Sequence, residues 1–505
     1  MRIVLAARRS ELARIQAFQV GRALEQTDPQ ISIEYSFHES LGDRNQNDPL
    51  WQMPEKGVFT QDLREGLLAG RYDLAVHSWK DLAIEDNGAT AVAATLPRAD
   101  IRDLLLIRAD RWSDVERRGS LTILTSSPRR SYNLDPFLRR ALPATVDKLI
   151  FQPVRGNVPT RVLKMWQPID NGWADGLIVA KAALDRLLEA DQAEFADMKS
   201  VLRDALAQCR WMVLPLCANP AAPAQGALAV EIRREREDLR ALLASINCSE
   251  TFKAVARERE ILRGYGGGCH QKIGASVLRR SYGEITFLRG LTDDGTVLDA
   301  LSLASAERRP PQIAREKMWP RRASDADWFK RETIPATIPD TPLWISKADA
   351  LPNEVSIAAT QLVWASGLKT WERLAARGIW VNGCAEALGE QESPNIETLA
   401  GGSADWVKLT HAGAPPENGM KAVATYRLIG KDDSPSLAGK TYFFWSSGSS
   451  FERALSLNPW IKPMTHFCGP GNTQRSLERN GVKAHIFLNH DQWLKEMSLG
   501  QNPER

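Results

Sequence analysis

The chain has 505 residues, of which 43% are hydrophobic and 25% charged, the balance of a globular protein long enough for three or four domains of roughly 150 residues. Sixty-five Lys and Arg against 62 Asp and Glu leave a net charge of +3, too even for a protein that coats nucleic acid. No stretch approaches the roughly 20 apolar residues of a membrane helix. Six cysteines, Cys209, Cys217, Cys248, Cys269, Cys384 and Cys468, form no CxxC pair, which argues against a disulfide framework or zinc site and fits a reducing, cytoplasmic compartment.

Residues 3–6 read as a first strand entering a loop at Arg8-Arg9, with no apolar signal-peptide core behind the basic pair. Apolar and β-branched runs predict further strands over 31–37, 74–77, 103–107, 122–124 and 176–180. Helical spacing predicts helices over 10–25 and 60–69. Such alternation predicts α/β domains with doubly wound parallel sheets, which bind ligands beyond the carboxyl ends of their strands. A strand over 227–232, two helical segments and strands around 285–289 predict a smaller α+β domain. Residues 306–340 are rich in proline and charge and read as a linker. Beyond it, Trp364-Ala365-Ser366-Gly367 leads to Glu372-Arg373 as Trp445-Ser446-Ser447-Gly448 leads to Glu452-Arg453, each followed by a second strand near Cys384 or Cys468. This weak repeat predicts a bilobed α/β C-terminal region.

Arginines stand where strands end: Arg8 and Arg9 beside Ser10, Arg129 and Arg130 after Ser126-Ser127-Pro128, and Arg155 and Arg161 around Gly156-Asn157-Val158-Pro159-Thr160. Arg186 lies on the helix after 176–180. Guanidinium forks suit carboxylates or phosphates, and hydroxyls and helix N-termini beside them add anion-binding capacity. One such arginine is more often an exposed ion pair, but a group of them at strand ends predicts a substrate with several carboxylates. His77-Ser78-Trp79-Lys80-Asp81 follows a buried strand and offers Asp81 as a proton carrier or as a stabiliser of developing cation; alone, Asp81 reads equally well as a cap. Gly266-Gly267-Gly268-Cys269-His270 offers a thiol on a glycine loop, a candidate covalent attachment point or an incidental turn cysteine. Seven histidines form no metal-binding cluster. Trp364, Trp371, Trp380, Trp406 and Trp445 read as core or interface residues, and Arg233-Arg234-Glu235-Arg236-Glu237-Asp238 as a solvated helix face.

These segments, in this order and with Gln16, Lys56-Gly57-Val58-Phe59 and Gln225-Gly226-Ala227, resemble the porphobilinogen deaminase (hydroxymethylbilane synthase) family over about residues 1–305. The resemblance implies two periplasmic-binding-protein-like domains, 1–97 with 207–224 and 98–206, and a third small domain, 225–305. It implies a dipyrromethane cofactor in thioether linkage to Cys269, contacted by Ser10, Lys80, Asp81, Ser127, Arg129, Arg130, Arg155 and Gly156. Asp81, helped by Lys80, then serves catalysis, protonating the leaving amine of each of four porphobilinogens on the way to linear hydroxymethylbilane. Arg8, Gln16, Arg155, Arg161 and Arg186 are expected to bind substrate. Pro54-Glu55-Lys56 departs from the family's Gly-Gly-Lys loop, and Ala224-Gln225-Gly226 from its Gly-Gln-Gly. Extra residues also stand between Arg186 and Gln225.

Residues 341–505 more faintly resemble uroporphyrinogen-III synthase, through Ala422-Val423-Ala424-Thr425-Tyr426-Arg427, Phe443-Phe444-Trp445-Ser446-Ser447-Gly448 and Cys468-Gly469-Pro470-Gly471-Asn472-Thr473. In the other lobe, Trp364-Ala365-Ser366-Gly367 and Gly401-Gly402-Ser403 are the candidates. That resemblance implies cyclisation of hydroxymethylbilane with inversion of its last ring. Tyr426 would aid loss of the hydroxyl, and Ser446, Ser447 and Thr473 would bind substrate. Fusion would raise the effective concentration of the second site. A bifunctional cytoplasmic monomer is expected, with no nucleic acid, membrane or protein-held metal. Two alternatives stand beside it: a deaminase with a non-catalytic C-terminal interaction domain, and a two-lobed binding protein for anionic ligands.

Overall fold

A computed structural model of the chain describes residues 1–39, 61–85, 87–169, 172–267, 271–322, 328–414 and 419–499. Its first sheet runs in the order Ser32–His38, Arg2–Arg8, Leu74–Ser78, Leu228–Arg233, Thr90–Ala94. Alternation along Arg2–Arg8 sends Ile3, Leu5 and Ala7 into a core with Val20 and Leu24 of the helix Glu11–Thr27. Ala6 faces the other way, against Leu63 and Leu67 of the helix Gln61–Leu68. A strand buried on both faces is what a near-continuous apolar run produces.

The second sheet runs Cys209–Leu214, Asp103–Arg108, Gly176–Ala180, Ser120–Leu124, Lys148–Gln152. Leu105 and Ile107 pack with Trp112, Phe137 and Leu138, while Leu104 and Leu106 pack on the opposite face with Leu184 and Leu187. Both sheets are mixed, which corrects the expectation of parallel sheets. Leu228–Arg233 pairs antiparallel with both neighbours in the first sheet, and Asp103–Arg108 does so in the second. In each case a strand arriving from the other sheet inserts against the local direction.

Two domain boundaries are corrected with it. Cys209–Leu214, expected in the first domain, pairs along its whole length with Asp103–Arg108 of the second. Leu228–Arg233, expected in the third, lies inside the first sheet. The third unit packs the helix Ser249–Arg263 on a meander of Gly274–Arg280, Gly283–Leu291 and Val297–Ser305.

Residues 306–340 are not a free linker, a further correction. Met318–Trp319 pairs with Tyr442–Trp445, and Phe329–Thr333 pairs with Lys421–Gly430. Trp319 and Trp328 are buried with Trp445, and burial of such large apolar surfaces outweighs the proline-rich composition around them. The C-terminal region has a six-stranded sheet, Phe329–Thr333, Lys421–Gly430, Val407–His411, Leu343–Ile345, Val363–Ala365, Gly383–Cys384, and a four-stranded one, Met318–Trp319, Tyr442–Trp445, Thr465–Cys468, Ala484–Ile486. The sequence repeat maps onto equivalent strand–loop–helix units, Val363–Ala365 with Leu368–Ala375 and Tyr442–Trp445 with Gly448–Leu457.

The six-stranded sheet abuts the edge of the second sheet. Val213 N donates to Asn382 O at 2.7 Å, and Asn382 Nδ2 and Trp380 Nε1 both donate to Trp211 O at 3.0 Å. Trp371 Nε1 donates to Ala141 O at 2.9 Å. One hydrophobic core contains Phe137, Met212, Trp371 and Trp380 together. Among the described residues no helix is long and apolar enough to cross a membrane.

Candidate active sites

Most of the expected deaminase residues gather where the first two sheets face each other. Arg8 ends Arg2–Arg8, and Ser10 precedes the helix Glu11–Thr27. From that helix, buried Gln16 exchanges hydrogen bonds with Ser78, Nε2 to Oγ at 2.9 Å and Oγ to Oε1 at 3.2 Å. Leu74–Ser78 delivers Lys80 and Asp81 on the short helix Trp79–Asp81, pinned beneath by Trp79 packing on Phe252 at 5.1 Å between ring centres. His77 is buried in the strand, with Nε2 3.0 Å from Glu231 Oε2. Burial pushes the Glu231 carboxyl up, but His77, Thr90 and Arg64 outweigh it and bring it down to about 2.

The floor of the cleft is a buried network centred on Asp103, a residue not singled out from sequence. Its carboxylate accepts from Arg129 Nη2 at 2.8 Å, Arg130 Nη2 at 2.6 Å, Asn219 Nδ2 at 2.8 Å and Gln225 Nε2 at 2.8 Å. Burial alone would raise this acid, yet Arg130 and Arg129 hold it far below the usual carboxylate range. The signal was a charged residue opening an otherwise apolar strand. Arg129 also donates from Nη1 to Asn219 Oδ1 at 2.9 Å and Pro220 O at 2.7 Å. Both its Nη atoms are thus engaged inside the chain, so it builds the floor. Gln225 relays the network upward, accepting from Lys80 Nζ at 3.3 Å. Its neighbours Ala224 and Gly226 have φ of 68° and 85°; a β-carbon on Gly226 would lie 2.6 Å from Ala99 O, whereas Ala224 bears one in a conformation that favours glycine.

Above the floor the cations are buried or half-buried and crowd one another. Ser127 caps the helix Pro128–Ala141 by accepting from Arg130 N, while Arg130 Nε is buried without a hydrogen-bond partner. Arg161 is half-buried and donates from Nε to Gly156 O at 2.7 Å. Burial first, then repulsion from Arg130 and Arg155, bring it down to about 10, opposed by Asp81. Arg186, buried, donates to Gly226 O at 2.8 Å and is likewise brought down to about 10, chiefly by burial. Burial also lowers Lys80, against the attraction of Asp81. Cations desolvated in this way gain when a polycarboxylate binds. The orphaned Arg130 Nε and the crowding of Arg161 therefore fit an acetate- and propionate-bearing dipyrrole.

Cys269 and the segment Pro54-Glu55-Lys56-Gly57-Val58-Phe59 lie outside the described residues. The stem of the cysteine loop is described. A β-carbon on Gly267 would touch Ile84 Cδ1 at 3.4 Å. Arg259 donates to Leu82 O and Ala83 O, and Arg263 to Ile84 O. The loop therefore springs from beside the segment that follows Asp81.

A second cleft, about 730 Å³, lies between the C-terminal sheets and is lined by Tyr426, Ser446, Ser447 and Thr473, all four of the residues expected there. Ser447 caps the helix Gly448–Leu457, accepting from Ser450 N at 3.1 Å, and Thr473 lies in the first turn of Asn472–Arg479. Two helix N-termini thus border the cleft, favourable to anions. Tyr426 is 4% exposed, and burial raises its hydroxyl. Lys347, Lys408 and His411 also line the cleft and went unnoticed in the sequence, although each lies at a strand end or within a strand that faces it. Burial, then Arg331, lowers Lys347; Lys408 Nζ pairs with Glu390 Oε2 at 2.6 Å. The expected Trp364-Ala365-Ser366-Gly367 and Gly401-Gly402-Ser403 are not among the lining residues. Trp364 is buried beside Trp406, and Ser366 Oγ donates to Ser346 O at 2.7 Å.

The family model for "Porphobilinogen deaminase, dipyromethane cofactor binding domain" matches residues 3–241. The porphobilinogen deaminase of Clostridium novyi is 33% identical over 299 residues, covering 59% of this chain and 91% of that protein. That of Chromobacterium violaceum is 35% identical over 277 residues, 54% of this chain and 79% of the relative. Among solved structures, the substrate-binding domain of a putative molybdenum ABC transporter from Clostridium difficile aligns with 51% of this chain and 96% of its own at 12% identity, with a TM-score of 0.26. Because one third of the residues agree across nine-tenths of a relative, this chain belongs to the porphobilinogen deaminase family.

Proposed function

We propose that the cleft between the first two sheets condenses four porphobilinogens to hydroxymethylbilane with loss of ammonia, and that the C-terminal cleft closes this product to uroporphyrinogen III. The observation that carries the first part is the cluster of cations around Asp81, buried Arg130 and half-buried Arg155 beside Arg161 and Lys80, the last two lowered by desolvation. Arg130, Arg155, Arg161 and Lys80, with Ser10, Ser127 and the Gly156 backbone, would hold the dipyrromethane carboxylates, and Cys269 would be its thioether anchor. When bound, that cofactor supplies the pyrrole primer for chain growth. Arg8 and Arg186 would bind the incoming substrate, while Gln16 fixes Ser78. Asp81 donates the proton with which the aminomethyl nitrogen departs as ammonia, and its carboxylate then stabilises the positive charge on the pyrrole substrate. Lys80, tied through Gln225 to the Asp103 floor, keeps Asp81 in place by charge.

In the second cleft, Ser446, Ser447, Thr473 and the two helix N-termini bind carboxylates of the linear tetrapyrrole. Burial keeps the Tyr426 hydroxyl protonated, so it can give its proton to the hydroxyl that leaves as water while the ring closes. The test is to supply porphobilinogen to the purified chain and separate the uroporphyrinogen isomers. Wild type should yield isomer III. Tyr426→Phe should still consume porphobilinogen but release mostly the isomer that forms spontaneously. Wild type that yields only the spontaneous isomer would leave a deaminase with a C-terminal interaction domain.

A further inference from the structure

The chain crosses between the first two sheets twice, at residues 95–102 and 215–227, and one short segment of the C-terminal region holds both crossings. At the first, Arg102, paired with Asp100 at 2.6 Å, donates to Pro394 O at 2.7 Å. Its guanidinium lies 5.6 Å from the Trp364 ring centre. At the second, Leu216 N and Cys217 N donate to the two carboxylate oxygens of Glu386 at 2.9 and 2.7 Å. The third unit is held as well, Arg280 donating to both oxygens of Glu392 at 2.7 Å each.

The same segment reaches the second cleft. Glu390 pairs with Lys408 at 2.6 Å, and both line that cleft. Gly389 packs against Gly471, a β-carbon there meeting Gly471 Cα at 3.3 Å, and Gly471 leads into the helix that carries Thr473. The backbone is strained along the way. Among the described residues, four that are not glycine have positive φ: Glu386 at 52°, Ala387 at 61° and Asn395 at 51° in this segment, and Ala224 at 68° in the second crossing. Such conformations are costly and persist where surrounding contacts impose them, often at switches and clamps. From Leu216 and Cys217 the second crossing continues to Asn219 and Pro220, which hold Arg129, and to Gln225, which holds Lys80.

We propose that residues 384–395 form a strap that restrains the deaminase hinge and couples it to the C-terminal cleft, so that a change at that cleft alters pyrrole addition. The proposal rests on the deaminase reading and not on the cyclising one. The coupled element is the pair of crossings, which both clefts bias through the strap.

The test uses the full-length chain with Glu386→Gln at the hinge end, Lys408→Met at the cleft end, and Glu372→Gln as control. The control removes an ion pair with Arg140, 2.8 Å, on the same interface but off the strap. Hydrogen exchange over 95–102 and 215–222 is read beside the KM and kcat for porphobilinogen. Glu386→Gln and Lys408→Met should each speed exchange at the crossings about tenfold. Each should also shift KM or kcat about fivefold, while Glu372→Gln matches wild type. Wild-type exchange and kinetics in Lys408→Met overturn the coupling, and equal effects from Glu372→Gln reduce it to loosening of a general interface. Glu392→Gln and Glu390→Gln read the same two ends should the first variants fail to fold. A wild type that adds no pyrroles overturns the deaminase reading, and the exchange data then still decide the strap.

Discussion

Asp81 and Asp103 both act on the charge of Lys80 but stand in different settings. Asp103 is buried, held by two arginines and two amides, and unfit to exchange protons, whereas Asp81 is only half-buried. Asp81→Asn should therefore cut porphobilinogen turnover by about 10²–10⁴, the usual worth of a positioned proton donor, while mass spectrometry still finds the cofactor attached. Asp103→Asn should instead destabilise the fold by about 3–5 kcal/mol, because it leaves two buried guanidiniums without their charge partner, which denaturant unfolding would measure. The desolvated Lys80 and Arg161 predict a third result: cofactor-free protein should melt several degrees below the loaded form, since a ligand bound to the folded state alone stabilises it. The arginines were legible in the sequence because they sit just after apolar runs. Their partner was not, because Asp103 meets Arg129 and Arg130 only after the strand and helix between them have packed.

The strands and helices read from periodicity in the first half lie within a few residues of observed ones, but Thr90–Ala94, Trp112–Arg118 and the pairing partners are not among what it reveals. Periodicity says which face of a strand is buried and nothing of the neighbour it pairs with. So Cys209–Leu214 and Leu228–Arg233 were each assigned to the wrong unit, although the second was recognised as a strand. Leu228–Arg233 also carries a pH dependence. Glu231 falls from an ordinary value near 4.5 to about 2 in the fold, so its contribution with His77 is complete above the unfolded value and is lost as pH falls from about 4.5 to 2. Glu231→Gln should flatten the acid limb of a stability–pH profile in that window. The same contrast explains the supposed linker: prolines and charges dominate its composition, while Trp319 and Trp328 decide its structure by being buried.

At the scale of the whole molecule, the C-terminal region and the deaminase share hydrophobic cores and meet edge to edge through Asn382. A chain cut after residue 305 would expose the Cys209–Leu214 edge and the surface that packs Trp371 and Trp380. Expressed alone, it should aggregate or lose cooperative unfolding, as exposed apolar edges do, and Asn382→Ala in the intact chain should lower stability by about 1–3 kcal/mol. The sequence suggested two tethered enzymes because a local motif carries no record of the surfaces that meet over long separations. Everything proposed for the first cleft depends on its covalent pyrrole chemistry. It is tested most directly by the intact mass of the purified chain and of its Cys269→Ala variant, before and after porphobilinogen. A dipyrrole-sized adduct on wild type alone, growing by further pyrroles with substrate, is the predicted result. Wild type that stays at its unmodified mass even after hydroxymethylbilane is supplied, and takes up no pyrrole, would contradict the account.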